Sequence, residues 1–321
     1  MKLTGALVAV GAALGLAKIA GDAAIRRYES IDLSESPKAG KTVAAAGLDI
    51  HYLEAGEGSP VVLIHGLGAS TFSYRFTIPA LAERFRVVAL DLPGSGYSTL
   101  TTPDLSATAQ VEHVAAFLDA LGLDRVALVG HSMGGAIAQR FAATYPERVD
   151  RLVLIDAATD EQLRSGARVG RVLGPFLPAL LALVVSSPWL HRKWLSWAVY
   201  DPSHLTPEVV AGYGAPGRVR GHTAALRRWL IDRAKDLPYD PSAIGAPTLM
   251  VWGEADRLLR LGGRVSGERQ MPNAERLVVA RAGHWAPEEQ PDVVNRAILA
   301  FLARPGGPRL TEPAVSTDRR R

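Results

Sequence analysis

Apolar runs alternate with amphipathic stretches over the first half of the chain. Lys41 to Ala46 and Leu48 to Ala55 read as two strands joined by a tight turn at Gly47. Pro60-Val-Val-Leu-Ile-His65-Gly66, Arg86-Val-Val-Ala-Leu-Asp91, Val126-Ala-Leu-Val129 and Leu152-Val-Leu-Ile-Asp156 are near-continuous apolar runs. Such runs fit strands buried on both faces of a parallel sheet. Between them, Thr71 to Phe85 reads as helical with Pro79 at a boundary or kink. Leu105 to Leu121 and Gly134 to about Tyr145 repeat apolar residues at helical spacing. Strands alternating with helices predict an α/β fold whose sheet is covered on both sides.

The alternation stops after Ala158. No strand pattern occurs from about Thr159 to Asp240, and Leu173 to Tyr200 is strongly apolar with Pro175, Pro178, Pro188, Trp189, Trp194 and Trp197. This stretch reads as an inserted helical cap that roofs the substrate, with a lipid-resting lid as the alternative. The strand pattern resumes at Thr248 to Gly253 and Arg276 to Ala280, and Pro291 to Leu302 supplies a closing helix. The expected organisation is therefore an N-terminal apolar segment over 1–30, the first part of an α/β core over 31–158, a helical cap over 159–240, the second part of the core over 241–303 and a disordered tail over 304–321.

Leu3 to Ala17 is an uncharged run between Lys2 and Lys18. As a helix it spans roughly 22 Å at 1.5 Å per residue, short of a ~30 Å hydrocarbon core unless Lys18 snorkels and Ile19 to Ala24 contribute. A membrane anchor over residues 3–24 is the leading expectation; a secretory signal and a soluble helix are the alternatives, with secreted or cytoplasmic location following from each.

Composition narrows the classes. The chain has 321 residues, 48% hydrophobic and 21% charged, as expected of a globular protein. It has no cysteine, which excludes disulfides, a thiol nucleophile and thiolate metal sites. Of the net charge of +4, the segment Ala303 to Arg321 supplies a surplus of three, five arginines against Glu312 and Asp318. The remainder is nearly neutral, so no basic face for nucleic acid is expected.

Gly130-His-Ser132-Met-Gly134 separates a strand from a helix, the context of a nucleophile elbow. The glycines are needed because a Cβ two residues either side of the serine would strike the strand or the helix. A serine hydroxyl needs a base. His284 follows the last apolar strand in Ala282-Gly283-His284-Trp285 and is the candidate. The base needs a carboxylate to fix its tautomer. Asp256 ends the preceding strand and is favoured; Asp156 is the alternative, and Asp91, backed by Pro93-Gly94-Ser95-Gly96, reads as structural. The oxyanion donors expected are the N–H groups of Met133 and of Leu67, the latter between Gly66 and Gly68. His65 reads as a loop holder. Gly94-Ser-Gly96 lacks the third small residue of a dinucleotide fingerprint, and P-loop, HExxH and paired-histidine metal patterns are absent from the sequence.

His65-Gly-Leu-Gly68, Asp91-Leu-Pro-Gly-Ser-Gly96, Gly130-His-Ser-Met-Gly-Gly135, Gly253-Glu-Ala-Asp256 and Gly283-His284 occur in order over most of residues 41–303. Together they resemble the α/β-hydrolase superfamily. The resemblance implies an α/β-hydrolase fold: a mostly parallel eight-stranded sheet, a cap after the sixth strand and a Ser132–His284–Asp256 triad without cofactor. Relatives that open epoxides or remove halides carry aspartate at the elbow, where this chain has Ser132. The implied activities are cleavage of a small to medium apolar carboxylic ester and, as the alternative, carbon–carbon hydrolysis of ring-cleavage products. The latter would want a cationic cap residue such as Arg227 or Arg228 for the substrate carboxylate. Gly283-His-Trp285 is similar to the carbon–carbon hydrolases, whereas those often carry asparagine where this chain has His131. A non-catalytic ligand-binding protein on the same fold is the reading from another class.

Overall fold

The computed structural model describes residues 19–36, 38–159, 162, 184, 186–259, 271 and 274–304. Eight strands form one sheet: β1 (Lys41–Ala45), β2 (Leu48–Ala55), β3 (Pro60–Ile64), β4 (Arg86–Leu90), β5 (Val126–His131), β6 (Val149–Ile155), β7 (Thr248–Gly253) and β8 (Ala274–Val279). Their spatial order is β1-β2-β4-β3-β5-β6-β7-β8. The β1–β2 and β2–β4 pairs are antiparallel; all others are parallel. β1 and β2 are joined at Ala46 and Gly47, both at positive φ.

The apolar runs become strands because both sheet faces are covered. Along β3, Val61 and Leu63 enter one core cluster while Val62 and Ile64 enter the other. Along β5, Ala127 and Val129 face the first cluster and Leu128 the second. Each such side chain removed from water contributes about 1.5–3 kcal/mol. Helices α1 (Thr77–Ala82) and, near the C-terminus, α7 (Ala286–Glu289) and α8 (Pro291–Leu302) lie on the first side. On the other are α2 (Ala107–Ala120) and α3 (Met133–Thr144). Pro79 sits in the first turn of α1, where its missing N–H leaves no bond unmade, so it starts the helix instead of kinking it.

Between β6 and β7 lie α4 (Pro188–Leu195), α5 (Pro207–Gly214) and α6 (His222–Asp232), with no strand among the described residues there. Leu195, Val199, Leu205, Val209, Val210 and Tyr213 form their own small core, which rests on Ala69, Phe72 and Trp285. Trp189, Trp194 and Trp197 are 71%, 64% and 63% exposed on the outer surface. His191 and Leu195 take the inward face of α4.

Residues 19–28 are helical and lead into a strap on these helices. Glu29 accepts the N–H groups of Gly221 (2.8 Å) and Thr223 (2.6 Å), supplying the cap that α6 lacks in its own sequence. Ile31 pairs with the 218–220 backbone, and Arg220 pairs with Asp32. Residues 29–32 are thus fastened to the helices between β6 and β7. No helix among the described residues is long and apolar enough to cross a membrane. The expected anchor lies mostly, and the expected disordered tail almost wholly, outside the described residues, as does much of the apolar stretch over 173–185.

Candidate active site

Because β3 to β8 are parallel, their carboxyl ends bring His65, Asp91, Ser132, Asp156, Asp256 and His284 to one edge of the sheet, where such folds place their ligands. Ser132 lies between β5 and α3 at φ 55° and ψ −119°, a left-handed conformation unusual for a side chain with a Cβ. The turn is locked by Ser132 N–H to Ile155 O (2.9 Å) and Ala158 N–H to Ser132 O (3.0 Å). A Cβ on Gly130 would stand 2.5 Å from the Gly134 carbonyl, and one on Gly134 would overlap the Ile64 carbonyl. The two flanking glycines are therefore steric requirements of the elbow.

His284 reaches Ser132 from the loop after β8. Its Nε2 lies 2.9 Å from Ser132 Oγ, and its Nδ1 lies 2.9 Å from Asp256 Oδ2. The loop sits this close because Gly253 and Gly283 touch: a Cβ on Gly253 would collide with the Gly283 carbonyl. Glu289 fixes the same loop, accepting Gly283 N–H at 2.6 Å and the Tyr200 and Asp201 N–H groups at 2.7 and 2.9 Å. Asp256 Oδ1 accepts the N–H groups of Leu258 (2.7 Å) and Leu259 (3.1 Å). Burial alone would raise the Asp256 carboxyl. The His284 contact and these two amides outweigh it and hold the group below the ordinary carboxylate range.

The glycine loop after β3 runs beside the serine, since a Cβ on Gly66 would stand 3.1 Å from Ser132 Cβ. Gly68 is at φ +69°. Neither Leu67 N–H nor Met133 N–H donates to another group among the described residues. Met133 opens α3, where backbone donors and the helix dipole favour negative charge. His65 holds this loop as expected: Nδ1–H donates to Gly66 O at 2.7 Å, and Nε2 accepts Leu92 N–H at 3.1 Å. Burial lowers its pKa, against the pull of Asp91 and the Gly66 bond.

Asp91 is tied into structure. It faces His51 Nδ1 at 2.8 Å and accepts the Thr71 and Tyr97 N–H groups at 2.7 and 2.9 Å. Asp156 stands beside the histidine but makes no hydrogen bond to it among the described residues.

Two features escaped the sequence. His131 is buried behind the histidine and donates Nε2–H to the His284 carbonyl at 2.8 Å. Burial and the adjacent His284 bring it down to about 3, so the ring is neutral and serves as a fixed donor. Arg233 is the second. Arg228, one of the expected substrate cations, is instead engaged with Asp232 (2.9 Å) and the Pro103 carbonyl (2.8 Å). Arg233 is 7% exposed, and its guanidinium lies 3.9 Å from Met133 Sδ; no carboxylate hydrogen-bonds to it among the described residues. Burial lowers the guanidinium to about 10, with Asp236 opposing. Its i+4 spacing from buried Trp229 was the available signal, but Arg227 and Arg228 precede it with the same charge.

The arrangement offers a hydroxyl joined through an imidazole to an ionised carboxylate, with two free amides and a buried cation nearby. Residues 59–291 match the family model described as the alpha/beta hydrolase fold. A 2-hydroxy-6-oxononadienedioate/2-hydroxy-6-oxononatrienedioate hydrolase from Burkholderia vietnamiensis is 34% identical over 282 residues, covering 80% of this chain and 92% of its own. Among solved structures, a meta-cleavage product hydrolase from Pseudomonas fluorescens is similar at a TM-score of 0.68 and 30% identity, over 82% of this chain and 97% of its own. A bacterial membrane phospholipase A is similar at a TM-score of 0.68 and 28% identity, over 94% of this chain and 98% of its own.

Proposed function

The chain belongs to the α/β-hydrolase family, and from that premise we propose that it uses a Ser132–His284–Asp256 triad to hydrolyse a carbon–carbon bond in a vinylogous diketone acid. The observation that carries the triad is the unbroken hydrogen-bonded chain from Ser132 Oγ through His284 to Asp256. Two observations support the carbon–carbon reaction. The relative from Burkholderia vietnamiensis is named for such substrates. Arg233 supplies a buried cation, beside the residue that follows the nucleophile, that a substrate carboxylate could pair with.

In this mechanism His284 Nε2 takes the proton of Ser132 as Oγ bonds to the ketone carbon. The oxyanion forms against the N–H groups of Leu67 and Met133. Collapse breaks the carbon–carbon bond, and the electron pair delocalises onto the remaining keto oxygen of the departing fragment, a dienolate acid that takes the proton back from His284. Water activated by His284 then releases the acyl group from Ser132. Asp256 stays ionised throughout and stabilises the imidazolium.

Ester hydrolysis by the same triad is the second reading. It is favoured by His131 standing where the carbon–carbon hydrolases often carry asparagine, and by the coverage shared with the phospholipase A structure. The deciding assay gives one preparation a dienone acid and a chain-length series of neutral esters, with Ser132→Ala alongside. Loss of the dienone chromophore with release of two acids supports the first reading. Brisk ester turnover with the dienone acid untouched transfers the assignment to the second.

We place the protein at a lipid surface. The apolar segment within residues 3–24 supports this, as do Trp189, Trp194 and Trp197, which are exposed, as is Lys193. Flotation of the full chain with anionic vesicles, reduced by combining Trp189→Ser, Trp194→Ser and Trp197→Ser, is the expected result. Flotation unchanged by all three substitutions would remove the tryptophans from the account.

A further inference from the structure

The site holds a second carboxyl that the mechanism above does not use. Asp156 ends β6 just as Asp256 follows β7, and the two strands are parallel neighbours with Ile155 opposite Val251. Asp156 is fully buried and sits at φ 41°, a left-handed conformation uncommon in a residue with a Cβ. Oδ1 accepts the Gly253 N–H at 2.8 Å, while Oδ2 has no partner among the described residues. One oxygen of Asp156, one of Asp256 and a ring nitrogen of His284 all lie within 4.8 Å of one another.

Two carboxylates this close in a dry pocket do not both ionise. Asp256 receives the His284 and two backbone contacts and is the ionised member. Asp156 is pushed well above the ordinary carboxylate range by burial and then by the charge of Asp256, with Glu289 adding to it. The Gly253 amide bound to Oδ1 pulls the other way, as does the nearby Ala286 amide, which falls short of a hydrogen bond. His131, the other titratable ring against His284, is neutral and engaged with a carbonyl. The pair therefore carries one charge, on the side that touches the imidazole.

We infer that Asp156 is a reserve positioning acid for His284. While Asp256 is ionised, Asp156 holds its proton and is silent. When the charge at 256 is removed, Asp156 ionises in its place and takes over compensation of the imidazolium from the end of the neighbouring strand. The unpartnered Oδ2 is the atom available for that role. This inference rests on the triad reading.

The test is a double-mutant cycle of Asp156→Asn and Asp256→Asn, with Ser132→Ala as the floor. It is read as turnover against pH and as the rate of fluorophosphonate labelling of Ser132. Asparagine keeps the shape of each side chain and an acceptor for the Gly253 amide. Removing only the acid of such a triad typically slows turnover by about 10⁴-fold. Here Asp256→Asn is expected to lose on the order of 10²-fold, with an acid limb that the double variant lacks. Asp156→Asn alone is expected to lose less than about threefold, yet a further ~10²-fold in the Asp256→Asn background, a non-additivity that a purely structural role does not produce. If Asp156→Asn does not fold, Asp156→Ser enters the same cycle. Equal losses from Asp156→Asn in both backgrounds, or an Asp256→Asn variant already as slow as the double, would overturn the inference. Turnover that survives Ser132→Ala overturns the triad itself and is a separate outcome.

Discussion

The protein contains two buried histidine–aspartate pairs of nearly the same geometry: His284 Nδ1 to Asp256 at 2.9 Å, and His51 Nδ1 to Asp91 at 2.8 Å. What separates them is the other ring nitrogen. In the first pair Nε2 faces the hydroxyl of Ser132, a group that can surrender a proton. In the second it donates to the Ala39 carbonyl at 2.6 Å, a group with none to give. The surroundings diverge in the same sense. Asp91 accepts the Thr71 and Tyr97 amides, Ser98 Oγ–H donates to the Asp91 carbonyl, and His51 N–H donates to Ser98 Oγ. That pair is enclosed by backbone amides and carbonyls, the Ser98 hydroxyl and the edge-on Tyr97 ring, and serves as a latch between β2 and the loop after β4. A carboxylate beside a histidine therefore marks a reactive site only when the far nitrogen has a reactive neighbour.

The widest separation of the two pairs is in activity. Ser132→Ala or His284→Gln should reduce turnover by a factor on the order of 10⁶ if the three groups act as a unit, with little change in melting temperature. The check is steady-state turnover beside a thermal melt. Next comes stability. His51→Ala leaves Asp91 buried without its ring partner, and loss of one member of a buried pair costs about 3–5 kcal/mol. The expected result is a melting temperature lowered by several degrees, with Ser132 in the surviving folded fraction still labelled by a fluorophosphonate at the native rate. Loss of labelling in folded protein would erase the distinction between latch and triad.

Much of this was legible in the chain. Glycines at 130, 134, 253 and 283 are dictated by contacts with backbone, so their spacing exposed the elbow and the histidine loop directly. The strands were legible because both faces are apolar. The orientation of α4 was not: the apolar richness of Leu173 to Tyr200 is compatible with facing inward or toward solvent, and only packing turned Trp189 and Trp194 outward and His191 inward. Arg233 was hidden because Arg227, Arg228 and Arg233 are equivalent as letters, and it is tertiary placement that engages Arg228 with Asp232 and leaves Arg233 against Met133. The neighbourhood of Asp156 and Asp256 depended on β6 and β7 being adjacent, which chain order alone suggests but does not measure.

Arg233 gives the next smaller effect. A charge-assisted hydrogen bond to a substrate anion is worth about 1.5–3 kcal/mol, so Arg233→Met should raise KM for an acid-bearing substrate by about 10- to 100-fold. Neutral esters should change by less than about threefold, since they present no anion. Equal losses on charged and neutral substrates would mean that Arg233 supports the surrounding structure and does not read the substrate.

The smallest effect is the pH dependence of stability, where two aspartates should act with opposite sign. Burial favours a raised pKa for Asp91, but the His51 bond, the nearby histidines and the Thr71 amide hold it below the ordinary range. A carboxyl lowered by folding contributes stability that is present above its unfolded value of about 3.9 and is lost as pH falls through the folded value. Asp156 is displaced upward by burial and by Asp256, so the folded protein retains a proton there that the unfolded chain releases. Its contribution is fullest below about 3.9 and declines as pH rises toward the folded value. Chemical denaturation of His51→Gln against the wild type should show the wild-type advantage shrinking on acidification below about pH 4. Asp156→Asn should show the reverse, gaining on the wild type as pH rises above about 4, because the amide has no proton to retain. Parallel pH profiles for wild type and Asp156→Asn would mean that Asp156 is ionised in the folded protein. The single charge assigned to the Asp156–Asp256 pair would then be wrong.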